Sequence, residues 1–162
     1  MKIDLRFGDT IEQMKLISDK SIDFICTDLP YQKTKNSWDT IIPFNSLWEQ
    51  YERIIKQNGA IALFSQGTFM GKLMLSNENM FRYDIVWEKT TPTNPFNAKI
   101  APLRSHENIL IFYKSPPTYN PQKTTGHPRK VSTAQHKRNS KKTTNYGDHE
   151  FVTYDSTERY PK

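Results

Sequence analysis

The chain has 162 residues, a formal net charge of +6 and 35% hydrophobic residues. That length predicts one domain with a real core, while a mean hydropathy of −0.77 leaves a sizeable part of the chain outside it. Apolar runs such as Ala60 to Phe64 fall far short of the roughly 20 residues that span a bilayer, so no membrane role is expected.

Taken in chain order, Lys2 to Phe7, "KIDLRF", predicts a short strand ending at Gly8-Asp9. Its acids among bases argue against a signal peptide. "TIEQMKLI" predicts a short helix, with Thr10 and Gln13 spaced as a capping box. "SIDFICTD" reads as the next strand, and its near-continuous apolar run predicts burial on both faces. The single cysteine, Cys26, falls mid-strand; it is expected to be a small buried hydrophobe, in a reducing cytoplasm.

After a polar loop, Ser46 and Glu49 repeat the capping pattern, and Leu47, Trp48, Tyr51, Ile54 and Ile55 form one helical stripe. Asn58-Gly59 is expected to stop that helix as a left-handed cap. "AIALF" predicts a buried strand, followed by a helix from about Thr68 to Ser76. "YDIVWEK" and "ENILIFYK" read as the last strands, joined by an irregular loop. The alternation predicts an α/β domain with a mostly parallel sheet over residues 1–114.

From Ser115 onward the character changes to a loop-rich extension with Pro116, Pro117, Pro121 and Pro128. Residues 1–113 hold 13 Lys/Arg and 13 Asp/Glu, whereas residues 114–162 hold 10 and 4, the whole of the +6. Arg129, Lys130, Lys137, Arg138, Lys141 and Lys142 lie in a stretch without acids from Ser115 to Gly147. A neutral body with such a tail suggests a polyanionic partner, nucleic acid first; a solvated surface or disordered end is the alternative.

Ligands of open α/β sheets bind where strands end. Gly8-Asp9, Asp28-Leu29-Pro30-Tyr31 and Ser65-Gln66-Gly67 are the polar strand ends here. No metal is expected, since His106, His127, His136 and His149 have no partners at ligand spacing. There is no Gly-x-Gly-x-x-Gly and no P-loop.

The segments "GDTIEQMKLISDKSIDFICTDLPY", "NSWD", "GAIALFSQ", "YDIVWEK" and "RSHENILIFYK", in that order, resemble the N-terminal part of the beta-class DNA amino-methyltransferases of phage and prophage type. The resemblance runs from about Lys2 to Lys114. It implies a partial Rossmann-like fold that uses S-adenosylmethionine to methylate adenine N6 or, less readily, cytosine N4 in double-stranded DNA. The family tetrad is usually acid-Pro-Pro-Tyr; Leu29 departs from it at the second position, and Gln32 replaces a glycine that often follows.

The resemblance assigns catalysis to Asp28, Leu29, Pro30 and Tyr31. An exocyclic amine is a poor nucleophile because its lone pair is delocalised into the base. Accepting its N–H hydrogens, one on the Asp28 carboxylate and one on the Leu29 carbonyl, localises that lone pair. Pro30 fixes its own φ and restrains Leu29, and Tyr31 offers a face to a flipped-out base. Asp9, Asp28, Trp38 and Asp39 match family positions near the cofactor. His106-Glu107 matches a family pair to which no chemistry is assigned.

The family's cofactor loop, an aromatic-x-Gly-x-Gly segment, has no counterpart: glycines stand at 8, 59, 67, 71, 126 and 147, with no two separated by one residue. In the family sheet, strands of the C-terminal part lie between strand 2–7 and the tetrad strand. The expectation is a truncated phage gene product, or half of a split enzyme completed by a second polypeptide. A non-catalytic DNA-binding remnant is the alternative from another class, and methylation of a protein glutamine is the third reading.

Overall fold

The computed structural model describes residues 3–93, 95–131 and 155–161. They divide into two units, Met1–Thr118 and Tyr119–Lys162. The first unit runs α1 (Thr10–Lys15), β1 (Ile22–Asp28), α2 (Phe44–Ile54), β2 (Ile55–Ser65), α3 (Gly67–Ser76), β3 (Phe81–Thr93), a 3-10 turn at Pro95–Asn97, and β4 (Arg104–Phe112).

These strands form one sheet in the order β1-β2-β4-β3. β1 pairs with β2 in parallel, and β4 runs antiparallel to both β2 and β3. Three strands therefore point one way and end on the same rim, where β4 begins. The α/β architecture agrees with the alternation in the sequence.

One face of the sheet carries the core. Ile61 and Leu63 of β2 and Leu110 and Phe112 of β4 pack with Leu47, Trp48, Tyr51 and Ile54 of α2 and with Phe69 and Leu73 of α3. The stripe on α2 is thus the buried one, as its spacing predicts, except that Ile55, expected on the helix, is the first residue of β2. Trp48 meets the Phe112 ring at 4.8 Å and satisfies its indole N–H on Ser76 Oγ at 2.8 Å. Arg53 ties the turn after α1 to α2, donating to the carbonyls of Met14 and Ile17 at 2.7 Å each.

The opposite face is open along β1 and buried only toward its middle, at Ala62 and Ile111, which corrects the expectation for β1. Phe24 is 58% exposed and Cys26 is exposed too, so neither is a core residue. Register places Phe24, Cys26 and Asp28 opposite Ala60, Ala62 and Phe64, on the side away from the helices. The apolar run is real, but only its helix-facing members, Ile22 and Ile25, pack against the core. Phe64 meets Trp87 of β3 on the open side, with ring centroids 5.3 Å apart.

The predicted first strand is not formed over residues 3–7. Ile3, Leu5 and Phe7 are 67%, 90% and 100% exposed. An extended segment becomes a strand only when another strand takes up its N–H and C=O groups, and none is described beside this one.

Three cap assignments are also corrected. Asp9, not Thr10, caps α1, its Oδ1 accepting from the N–H groups of Ile11 and Glu12 at 3.0 and 3.1 Å. α2 begins at Phe44 behind Pro43, without a side-chain cap, so Ser46 lies inside the helix; proline pre-sets the φ that a helix start needs. Asn58-Gly59 does not stop α2 but lies within β2. A Cβ at Gly59 would stand 2.8 Å from the Ile55 side chain and 2.9 Å from the Asp23 carbonyl oxygen. The register slips between Ile22 and Phe24 at this point, and glycine permits the close approach.

The second unit is not without strands. β5 (Lys130–Val131) pairs antiparallel with β6 (Asp155–Ser156), and Thr124 bridges to Arg159. Two-residue strands leave no periodicity for a sequence to show. No helix among the described residues is long and apolar enough to cross a membrane.

Candidate active site at the rim of the sheet

Strand alternation sends successive side chains to opposite faces, and the tetrad uses this. Leu29 is buried in the core, while Asp28 beside it is exposed. The departure from proline at the second position therefore has a structural use, because leucine there anchors the tetrad in the apolar layer. Pro30 then turns the chain so that Tyr31 comes back over Asp28. Tyr31 Oη donates to Asp28 Oδ1 at 2.5 Å, and its ring packs on Phe69 at 4.7 Å, tilted by 35°. Burial, and then the bond to the Asp28 carboxylate, push the Tyr31 phenol well above its ordinary range, so it remains a donor.

The loop after the tetrad is held by Asp39. Its Oδ1 accepts the Gln32 N–H at 2.8 Å, and its Oδ2 accepts those of Lys33 at 2.8 Å and Thr34 at 2.6 Å. The Thr34 N–H first, with the Thr34 side chain and the other two amides, holds the Asp39 carboxyl down at about 2. Gln32 adopts a φ of 57°, the left-handed region that favours glycine.

These bonds bear on the residues expected near the cofactor. Asp39 is buried and both its oxygens are engaged on the loop. Asp9 uses Oδ1 on the α1 cap, and Trp38 is exposed. Asp9 thus anchors the start of a helix and Asp39 anchors a loop.

Sequence reasoning missed several neighbours of the tetrad. Phe69 supports Tyr31 from α3, and nothing local to its sequence marks it. Lys33 Nζ stands 5.6 Å from the Tyr31 ring centroid and donates to the Gln66 carbonyl at 3.4 Å. Glu107 is buried and paired with Lys89, which supplies a structural use for the second member of His106-Glu107. Among the described residues no group of three His, Cys, Asp or Glu side chains could hold a metal ion.

In the basic tail, Arg129 and Lys130 sit at β5. Arg129 already has an acidic partner, donating to Asp155 from Nε at 2.7 Å and from Nη2 at 2.5 Å. Lys137, Arg138, Lys141 and Lys142 lie outside the described residues.

With the tetrad placed at a strand end, comparison with known proteins decides the family. A family model described as DNA methylase, N6_N4_Mtase, matches residues 22–160. The chain belongs to the N6/N4 DNA methylase family. The matched segment contains the tetrad, Trp38 and Asp39, and starts after Asp9. Among solved structures, the PvuII DNA methyltransferase, cytosine-N4-specific, superposes with a TM-score of 0.54 at 14% identity, covering 68% of this chain and 49% of that one. The M1.HpyAVI–SAM complex superposes with a TM-score of 0.50 at 19% identity, covering 73% and 56%. At such identities the likeness shows the fold, and this chain spans about half the length of those methyltransferases. No curated protein matches this chain.

Proposed function

We propose that this chain carries the target-base half of a DNA methyltransferase, acting on adenine N6 or, less readily, cytosine N4 in double-stranded DNA. S-adenosylmethionine would supply the methyl group, and the reaction belongs with DNA in the cytoplasm of a bacterium or phage-infected cell. The observation that carries the reading is the Asp28–Tyr31 pair at the end of β1, inside the segment matched to the DNA methylase family.

The site's own groups suit the target amine. Asp28 offers a carboxylate that accepts an amine N–H, and the Leu29 carbonyl is the second acceptor. The buried Leu29 side chain and Pro30 hold that backbone still. Tyr31, propped on Phe69, presents an aromatic surface for a base taken out of the stack. The acid at the first tetrad position favours adenine over cytosine.

No Gly-x-Gly occurs in the 162 residues, so we assign the cofactor loop to sequence beyond them, a second polypeptide being one source. The same observation favours one other reading, a non-catalytic DNA-binding remnant. Incubation of DNA and S-adenosylmethionine with this chain, alone and with the protein of the adjacent reading frame, separates the two. N6-methyladenine found by mass spectrometry only in the mixture supports the divided enzyme, and transfer by the chain alone rejects it. DNA binding without transfer in either case supports the remnant.

A further inference from the structure

Two cations meet beside the tetrad with no acid among the described residues paired to either. A Cβ built on Gly67 would lie 3.6 Å from Lys33 Nζ and 3.9 Å from Arg104 Nη2, so the ammonium and the guanidinium close on one point at the rim. Among the described residues neither takes part in an ion pair. Glu107, the carboxylate whose field reaches Lys33, is committed to Lys89.

The pair is built by the fold. Asp39 fixes the backbone of Lys33, and Arg104 is the first residue of β4. Burial first, and the Arg104 charge next, lower the Lys33 ammonium from its ordinary value. Like charges placed side by side repel, and an anion lodged between them converts that repulsion into two attractions. A phosphate oxygen suits both donors, since charge-assisted bonds to phosphate are strong and guanidinium matches it in shape.

We propose that Lys33 and Arg104 form a phosphate subsite that grips the DNA backbone at the nucleotide whose base enters the Asp28–Tyr31 site. The proposal rests on the DNA reading above. Lys33 Nζ stands 5.6 Å from the Tyr31 ring centroid, within a side chain's swing of the base's place, and a base brings its own phosphate only one sugar away. The ammonium's present acceptor, the Gln66 carbonyl at 3.4 Å, is long enough to be exchanged for a charged one.

The test titrates the full chain with a short duplex carrying one extrahelical adenine, over roughly 50 to 200 mM salt. Lys33→Gln and Arg104→Gln should each reduce the log–log salt slope by about 1. A neutral methylphosphonate beside the extrahelical adenine should weaken the wild-type chain and leave the double variant unaffected. Lys56→Gln, at the far end of β2 and paired with Asp23, should keep the wild-type slope. Wild-type slopes in both single variants, or a methylphosphonate effect that persists in the double variant, overturn the subsite alone. A wild-type chain with no salt-dependent DNA binding overturns the subsite together with the function on which it rests.

Discussion

Tyr31 and Asp28 are joined by a 2.5 Å hydrogen bond from phenol to carboxylate, so the two side chains proposed to meet the target base touch each other in the free protein. A base amine entering the site meets a carboxylate with one oxygen already engaged. In the catalytically complete enzyme, Asp28→Ala should lower kcat by about 10²–10³-fold, as loss of a single transition-state hydrogen-bonding group does, and leave DNA affinity near wild type. Tyr31→Phe keeps the ring on Phe69 and should cost about 1 kcal/mol or less in thermal unfolding, since the lost bond is exposed. Near wild-type turnover in Asp28→Ala would sink the assigned mechanism.

Asp39 makes the loop sensitive to acid. Its carboxyl is held at about 2, against an ordinary value of 3.8. A folded-state value below the unfolded one gives stability that is present above pH 3.8 and lost as pH falls through about 2. Asp39→Asn should flatten that part of the stability–pH curve in denaturant unfolding. It should also increase amide exchange at Gln32, Lys33 and Thr34, whose N–H groups Asp39 accepts. An unchanged acid limb in the variant would refute the assignment.

Gln32 stands in a left-handed conformation, φ 57°, that costs a residue with a Cβ about 1 kcal/mol. Glycine adopts it freely but loses more freedom on folding. Gln32→Gly should therefore stabilise the protein slightly, by up to about 0.5 kcal/mol, with the Asp39 bonds retained. A loss of more than about 1 kcal/mol in a denaturant titration would mean that the Gln32 side chain contributes to the fold.

Two glycines should answer alanine in opposite ways. Gly71 has open space where a Cβ would go and lies within α3, so Gly71→Ala should stabilise by about 0.5–1 kcal/mol. At Gly59 the added carbon would press on Ile55 and on the Asp23 carbonyl. Gly59→Ala should cost about 1–3 kcal/mol through forced displacement of packed groups. Paired chemical denaturation of the two variants checks both signs at once.

Much of this was legible in one dimension. Four members of the stripe, Leu47, Trp48, Tyr51 and Ile54, named the buried face of α2, because helical spacing decides which side chains share a side, whereas the fifth, Ile55, begins β2. Apolar runs placed β1 and the second half of β2, and the Asp28 to Tyr31 tetrad was visible as a strand end. Caps were less legible. Ser46 and Glu49 have the spacing of a cap but lie inside α2, and Asn58-Gly59 has the composition of a helix stop but forms part of a strand. Local chemistry proposes such signals, and the partner strand, here β1 pressing on Gly59, overrules them.

What the sequence determined by itself is the alternation of elements from α1 to β4, the neutral body with its basic tail, and the presence of the tetrad at a strand end. Each depends on residues near one another in the chain. The tertiary structure alone decided that Phe24 and Cys26 face outward, that Asp39 clamps the loop, and that Lys33 and Arg104 converge at Gly67. These depend on which strand lies beside which, and pairing brings together residues as far apart as Lys33 and Arg104.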